Sequence, residues 1–426
     1  MALWQIDFNA NEKEIKNILE TLLKKHDSIS YFAALNLGNL YFDKNDFSRS
    51  KTYYELACSI KPDNYTAWYN LGIIERSQKN YPTAIEYFQK ASENIKNFSD
   101  IYKNMAEIYY SQEMITPAIF QYEKLIAITN DRSAIASLAD LYYENGPETW
   151  NDALMLYKEL FQNGSVDEKL VSLANMGNIW FYKTNYTRAF QFYDEALKLS
   201  PGDIRLLNNS GLVLTRLQKK EEALENFQKI LKIEPDNENA LMNVIIINAS
   251  LNRLQEAVNL CKKVLEIKQD DPIFLQLLAT LYLKSRNYEK ALEVLDKINY
   301  PETSIKIKND LYRAFIYFKQ NRYSDALDIY NRILTLQENH PEALLNKGIV
   351  LYHLKRFDEA SKELLKLLVL TEDPSLLAMA YLYLGNSAYK KTDYPAAKYY
   401  YERGLEYRPD MPELFYNLSL VKKRTS

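Results

Sequence analysis

An all-α solenoid of stacked helix-turn-helix repeats is the fold class that this 426-residue chain predicts, and three observations predict it. The first is self-similarity. Residues Leu170 to Asn237 hold two copies of one unit, in which Gly177 and Gly211, Ala189 and Ala223, Tyr193 and Phe227, and Pro201 and Pro235 recur at an interval of about 34 residues, the length of a helix-turn-helix repeat. The second is composition: hydrophobic residues make up 47% of the chain and glycine only 10 residues, as a nearly all-helical protein requires. The third is that the register persists from Tyr31 to Met411 with few insertions, so the array grows in one dimension without a domain break.

Residues 1–30 form an N-terminal segment and capping helix. Leu3, Trp4, Ile6 and Phe8 make a short apolar run, and Asn9 with Glu12 resembles a capping box. The helix that follows sets Ile15, Ile18, Leu19, Leu22 and Leu23 on one face, which is expected to cover the open end of the array. Residues 31–166 hold repeats one to four. The fourth lengthens its internal turn through Glu144 to Trp150, and a spacer, Asn163 to Asp167, follows it. Residues 167–303 hold repeats five to eight and end in Asn299-Tyr-Pro-Glu-Thr303, the candidate hinge. Residues 304–411 hold repeats nine to eleven, where Asp310 and Arg313 stand at positions expected to be core and can pair across one helical turn. Residues 412–426 begin one more helix, which runs into the polar Lys422-Lys-Arg-Thr-Ser426 and reads as a C-terminal cap.

Small residues at the eighth and twentieth positions, aromatics at the eleventh and twenty-fourth, and a closing proline make the chain resemble the tetratricopeptide repeat (TPR) family. The resemblance implies antiparallel helix pairs in a right-handed superhelix with a concave, ligand-facing side. Gly38, Gly72, Ala106 and Gly177 are then expected to sit at helix crossings facing partners of the Ala84, Ala118 and Ala189 type. Pro62, Pro201, Pro235 and Pro409 are expected to stop second helices.

Composition excludes several function classes. A net charge of −3 and a pI near 5.9 leave no electrostatic footprint for nucleic acid. Cys58 and Cys261 lie on different repeats at positions expected to be core, and neither a disulfide nor a metal role follows. No apolar run reaches the roughly 18 residues of a membrane span, and no basic start precedes an apolar stretch. The expected location is cytoplasmic, or periplasmic or membrane-associated if an anchor or signal was removed. His26, His340 and His353 show no ligand or triad spacing and no glycine-rich phosphate loop exists, so the chain is expected to be no enzyme and to need no cofactor or metal.

What remains is a binding surface. The sixth position of the first helices carries Asn36, Asn70, Asn104, Asn175, Asn209, Asn243 and Asn346, with Asn417 in the cap. The family places this position in the concave groove, where carboxamides offer a donor and an acceptor to an extended peptide. Asparagine there also links neighbouring repeats, and both readings stay open. Ile73, Leu212 and Ile246 at the ninth position, with Phe181 and Tyr352 at the twelfth and Tyr182 beside them, would supply an apolar lining for a peptide or amphipathic helix. Family members that clamp the acidic tails of chaperones require basic residues where this chain has Leu35, Asp100 and Asn104, so such a clamp is not expected. The reading is a non-enzymatic scaffold or adaptor with protein partners, the alternative a structural subunit of a bacterial envelope, secretion or flagellar-motor assembly.

Overall fold

A computed structural model describes residues 12–24, 28–298 and 302–425. Leu3, Trp4, Ile6, Phe8, the Asn9 cap, His26 and residues 299–301 of the hinge turn lie outside the described residues, as does the side chain of Ile15. Among the described residues every regular element is a helix.

The chain divides into two compact units, Met1–Asn226 and Phe227–Ser426. In the first, α1 (Glu12–Leu23) precedes the pairs α2 (Ser28–Asp43) and α3 (Phe47–Ile60), α4 (Tyr65–Ser77) and α5 (Tyr81–Asn94), and α6 (Ser99–Ser111) and α7 (Ile115–Thr129). The pairs α8 (Arg132–Glu144) and α9 (Trp150–Asn163), then α10 (Val166–Tyr182) and α11 (Tyr186–Leu199), lead to α12 (Ile204–Arg216). Helix α13 (Lys220–Ile233) carries the division. The second unit continues with α14 (Glu238–Ser250) and α15 (Leu254–Ile267), α16 (Pro272–Lys284) and α17 (Tyr288–Lys297), and α18 (Thr303–Lys319) and α19 (Tyr323–Leu336). It closes with α20 (Pro341–His353) and α21 (Phe357–Leu368), α22 (Pro374–Lys390) and α23 (Tyr394–Tyr407), and α24 (Pro412–Thr425).

Two local devices repeat along the chain. Asp or Asn side chains cap many helices, as Asp203 does by accepting from the Arg205 and Leu206 backbones. Within a pair, the turn closes on one residue in the left-handed region, among them Lys79 (φ 62°), Thr184 (φ 58°) and Thr392 (φ 64°). At Thr184 its N–H bonds to Phe181 O and that of Asn185 to Trp180 O, both at 2.9 Å, so the chain reverses in three residues. The fourth pair departs: its turn spans residues 145–149 and uses Gly146 at φ 105°.

Several expectations change. The expected spacer at 163–167 is mostly helix, because Ser165 and Glu168 form a reciprocal capping box that starts α10 at Val166. The last segment keeps the expected form of a helix, with its polar end helical to Thr425. On α1, Leu19 is buried as expected but Ile18 is 43% exposed. The helix-crossing glycines face rings instead of alanines: a Cβ on Gly177 would stand 2.6 Å from Tyr193 Cε1, and one on Gly72 would stand 2.6 Å from Phe88 Cε1. In these repeats the aromatic at the twenty-fourth position packs so close to the backbone of the first helix that a Cβ would have to displace it. Cys58 and Cys261 are buried free thiols, each pushed up to about 12 by burial.

Candidate functional site

The sixth-position asparagines meet a recurring side-chain junction. In the first repeat the Tyr54 hydroxyl of α3 donates to Asn39 Oδ1 of α2 at 2.7 Å, and Asn70 Nδ2 of α4 reaches the same oxygen at 3.3 Å. One acceptor thus ties both helices of a repeat to the next repeat. Tyr193, Asn178 and Asn209 repeat this at 2.6 and 3.3 Å, and Tyr401, Asn386 and Asn417 repeat it at 2.8 Å for both bonds. In the fourth repeat Asp140 takes the acceptor role, receiving Tyr157 at 2.6 Å and Asn175 at 3.2 Å. Burial raises the pKa of these tyrosines, that of Tyr54 to about 12, and the carboxylate beside Tyr157 adds to the effect of burial there. They remain neutral donors through the physiological range.

The predicted residues therefore separate. Asn175 and Asn209 join one network, because Asn178 Nδ2 also donates to Asn175 Oδ1 at 3.4 Å. Asn70 stands with Ile73 at a cavity of about 450 Å³ that Asn39, Phe42 and Asp43 also line. Asn104 is buried, accepts from Arg76 and donates to Asp100 O at 2.7 Å, while Arg76 pairs with Glu107 at 2.6 Å. Asn36 and Asn243 turn their amides back to their own helices, onto Phe32 O at 2.8 Å and Asn239 O at 2.9 Å. Asn346 is half-buried on α20.

Of the apolar residues, Phe181 stands edge-on to Tyr186, and Tyr182 is 60% exposed with one side on Trp150. Leu212 and Ile246 are 37% and 45% exposed. Tyr352 stands edge-on to Tyr383 and lines a cavity of about 260 Å³ in the second unit. That cavity repeats the one in the first unit at a constant sequence offset: Asn386, Tyr389 and Lys390 stand where Asn39, Phe42 and Asp43 do, and Tyr401, Asn417 and Leu420 where Tyr54, Asn70 and Ile73 do. The two differ in charge, Asp43 against Lys390.

Chemistry beyond hydrogen bonding and apolar contact is sparse. His340 caps α20 by accepting from the Ala343 N–H. His353 stacks on Tyr323 at 5.1 Å, and burial lowers its basicity. Among the described residues no His, Cys, Asp or Glu cluster could hold a metal ion, and no helix is long and apolar enough to cross a membrane.

Several known proteins are similar to this chain. Stress-induced-phosphoprotein 1 of Caenorhabditis elegans is 24% identical over 201 residues, covering 46% of this chain and 59% of that protein. The Hsp70-Hsp90 organising protein of Plasmodium falciparum is 27% identical over 168 residues, covering 38% and 28%. The chain thus spans only part of the length of these curated relatives. A tetratricopeptide repeat protein from Parabacteroides merdae superposes with a TM-score of 0.48 at 18% identity, over 59% of this chain and 98% of that one. Family models described as tetratricopeptide repeat match residues 35–96, 219–277, 249–303 and 317–381. With helix pairs repeated along both units and those matches in each of them, the chain belongs to the tetratricopeptide repeat family.

Proposed function

We propose that this protein is a non-enzymatic scaffold or adaptor that holds a partner peptide or amphipathic helix against the first helices of its repeats, in the concave groove of the family. The observation that carries the reading is the exposure of large apolar side chains one helical turn from the fixed polar junctions. Tyr182 follows Asn178 on α10 and Leu212 follows Asn209 on α12 at helical spacing, and both are open to solvent. In the second unit Ile246 and Phe315 are 45% and 43% exposed. Exposed apolar groups beside preorganised amides suit an amphipathic ligand, and each bridging carboxamide keeps further hydrogen-bonding capacity for it. Family membership, with relatives whose names call them organising proteins of Hsp70 and Hsp90, supports a protein-interaction role. A chaperone-tail clamp is not part of the proposal, because Leu35, Asp100 and Asn104 replace its basic residues.

The test is a double substitution, Tyr182→Ala with Leu212→Ala, measured against a partner identified by crosslinking and mass spectrometry. At least tenfold weaker binding with an unchanged urea midpoint is expected. Unchanged affinity sinks the groove reading. The structural-subunit reading has its own support in the second unit, where Ile233, Ile267 and Val369 at second-helix ends are 51%, 85% and 83% exposed. Crosslinks confined to those ends would favour it.

A further inference from the structure

The second unit contains a polar cavity that the groove reading does not use. In α18, Asp310 stands where the next repeat has Leu344, and its side chain is only 1% exposed. A buried carboxylate needs partners, and it has them. Arg332 of α19 meets both oxygens, Nε to Oδ2 at 2.9 Å and Nη2 to Oδ1 at 2.6 Å. Arg313 adds Nη1 to Oδ1 at 3.3 Å and extends Nη2 to Leu295 O and Asp296 Oδ1 at the end of α17, at 2.7 and 2.9 Å.

Beside this network lies a cavity of about 440 Å³ bordered by Lys306, Asn309, Arg332 and Ile305. Three observations make it a site and not a gap. Asn309 is 3% exposed and its Oδ1 has no hydrogen-bond partner, an unsatisfied buried acceptor that a ligand N–H would relieve. Lys306 has no ion-pair partner within 4.0 Å among the described residues, and Arg332 commits Nε and Nη2 but not Nη1. Lys306, Arg313 and Arg332 set against Asp296 and Asp310 leave one net positive charge around the cavity. Among the described residues no aromatic ring borders it, so none of them would stack on a base.

We infer that this cavity binds an acidic residue of a peptide, with its carboxylate on Lys306 and Arg332 and the adjacent backbone N–H donated to Asn309 Oδ1. Charge-assisted bonds to the carboxylate supply attraction, and the amide bond orients the residue. The volume is that of a small ligand site and takes one acidic residue with its flanking backbone.

The test titrates the full chain with two blocked pentapeptides that differ only in a central Glu or Gln, followed by calorimetry. The Glu peptide is expected to bind at least tenfold more tightly than the Gln peptide. Lys306→Glu, at an exposed position, is expected to abolish that preference. Asn309→Leu is expected to weaken the Glu peptide about tenfold while raising the thermal midpoint, since it removes a buried unsatisfied acceptor; a merely structural asparagine would leave binding alone. Tyr182→Ala with Leu212→Ala is expected to bind the Glu peptide as the native chain does, which separates this site from the groove. Equal binding of the two peptides, binding of neither, indifference to Lys306→Glu, or loss in the groove variant overturns the inference.

Discussion

The Tyr193 hydroxyl lies 2.6 Å from Asn178 Oδ1, and Asn209 from the next repeat reaches that same oxygen at 3.3 Å. Tyr193 is only 2% exposed, so its hydroxyl has no ready access to water if the acceptor is removed. Asn178→Leu is therefore expected to destabilise the chain by about 1–3 kcal/mol, the desolvation penalty of a stranded hydroxyl. Adding Tyr193→Phe removes that hydroxyl and rebuilds the apolar pairing that Ile73 and Phe88 already use. The double variant is expected to recover most of the loss, so a double-mutant cycle in urea should show strong favourable coupling. Additive losses would mean that the junction is incidental.

Gly177 and Tyr193 give a second, steric prediction. The Cβ of Gly177→Ala would stand 2.6 Å from Cε1 of a ring that its own hydrogen bond and burial hold in place. Ring and helix must separate, and the expected loss is about 1–3 kcal/mol by urea denaturation. Gly177→Ala combined with Tyr193→Leu should be better tolerated than Gly177→Ala alone, because the smaller side chain can withdraw.

Thr184 holds φ 58°, a conformation that β-branched residues adopt with strain. Its neighbours in other turns, Asn45, Asn252 and Asn321, hold almost the same angle with a side chain suited to it. Thr184→Asn is expected to stabilise by about 1 kcal/mol, read as a higher urea midpoint with an unchanged slope. A lower midpoint would show that the threonine makes a contact worth more than its strain.

How far the sequence revealed this protein depends on which residue is asked. The helix pairs were legible because periodic apolar positions, prolines and small residues act locally, and Pro201 two residues beyond Leu199 needs no tertiary knowledge. The sixth-position asparagines were visible as a series, but their partners were not, since the acceptor lies on another helix. A signal existed nonetheless. Asn39, Asp140, Asn178 and Asn386 are each followed by a tyrosine on the next helix (Tyr54, Tyr157, Tyr193 and Tyr401), whereas Ile73, Leu212, Ile246 and Ile349 are followed by Phe88, Phe227, Cys261 and Leu364. In these eight pairs a polar ninth residue goes with a hydroxyl and an aliphatic one goes without, while Thr280 with Leu295 and Phe315 with Tyr330 stand outside the pattern. The pairing of Asp310 with Arg313 could be read from one turn of helix, but Arg332 comes from α19 and needed the fold.

Ionisation provides the last prediction. Burial pushes Tyr31 and Tyr54 up to about 12 from the ordinary value of 10.0, and Cys58 up to about 12 from 9.0. A folded value above the unfolded one favours the protonated native state, so this stability is fully present below the unfolded value and drains away as pH rises from about 9 to 12. Glu75 works in the opposite direction. Burial alone would raise it, but hydrogen bonds from Lys51 at 2.7 Å and Asn80 at 2.9 Å outweigh burial and hold it below 4.5. Its contribution is present above the unfolded value and is lost as pH falls through the folded one. His353, whose basicity burial lowers, adds a loss as pH falls through its ordinary value of 6.5, so the urea midpoint is expected to be flat only between about pH 7.5 and 9 and to fall on both sides. Glu75→Gln should shallow only the acid limb, and Tyr54→Phe should shallow only the alkaline limb. A variant that altered the other limb would contradict the assignment.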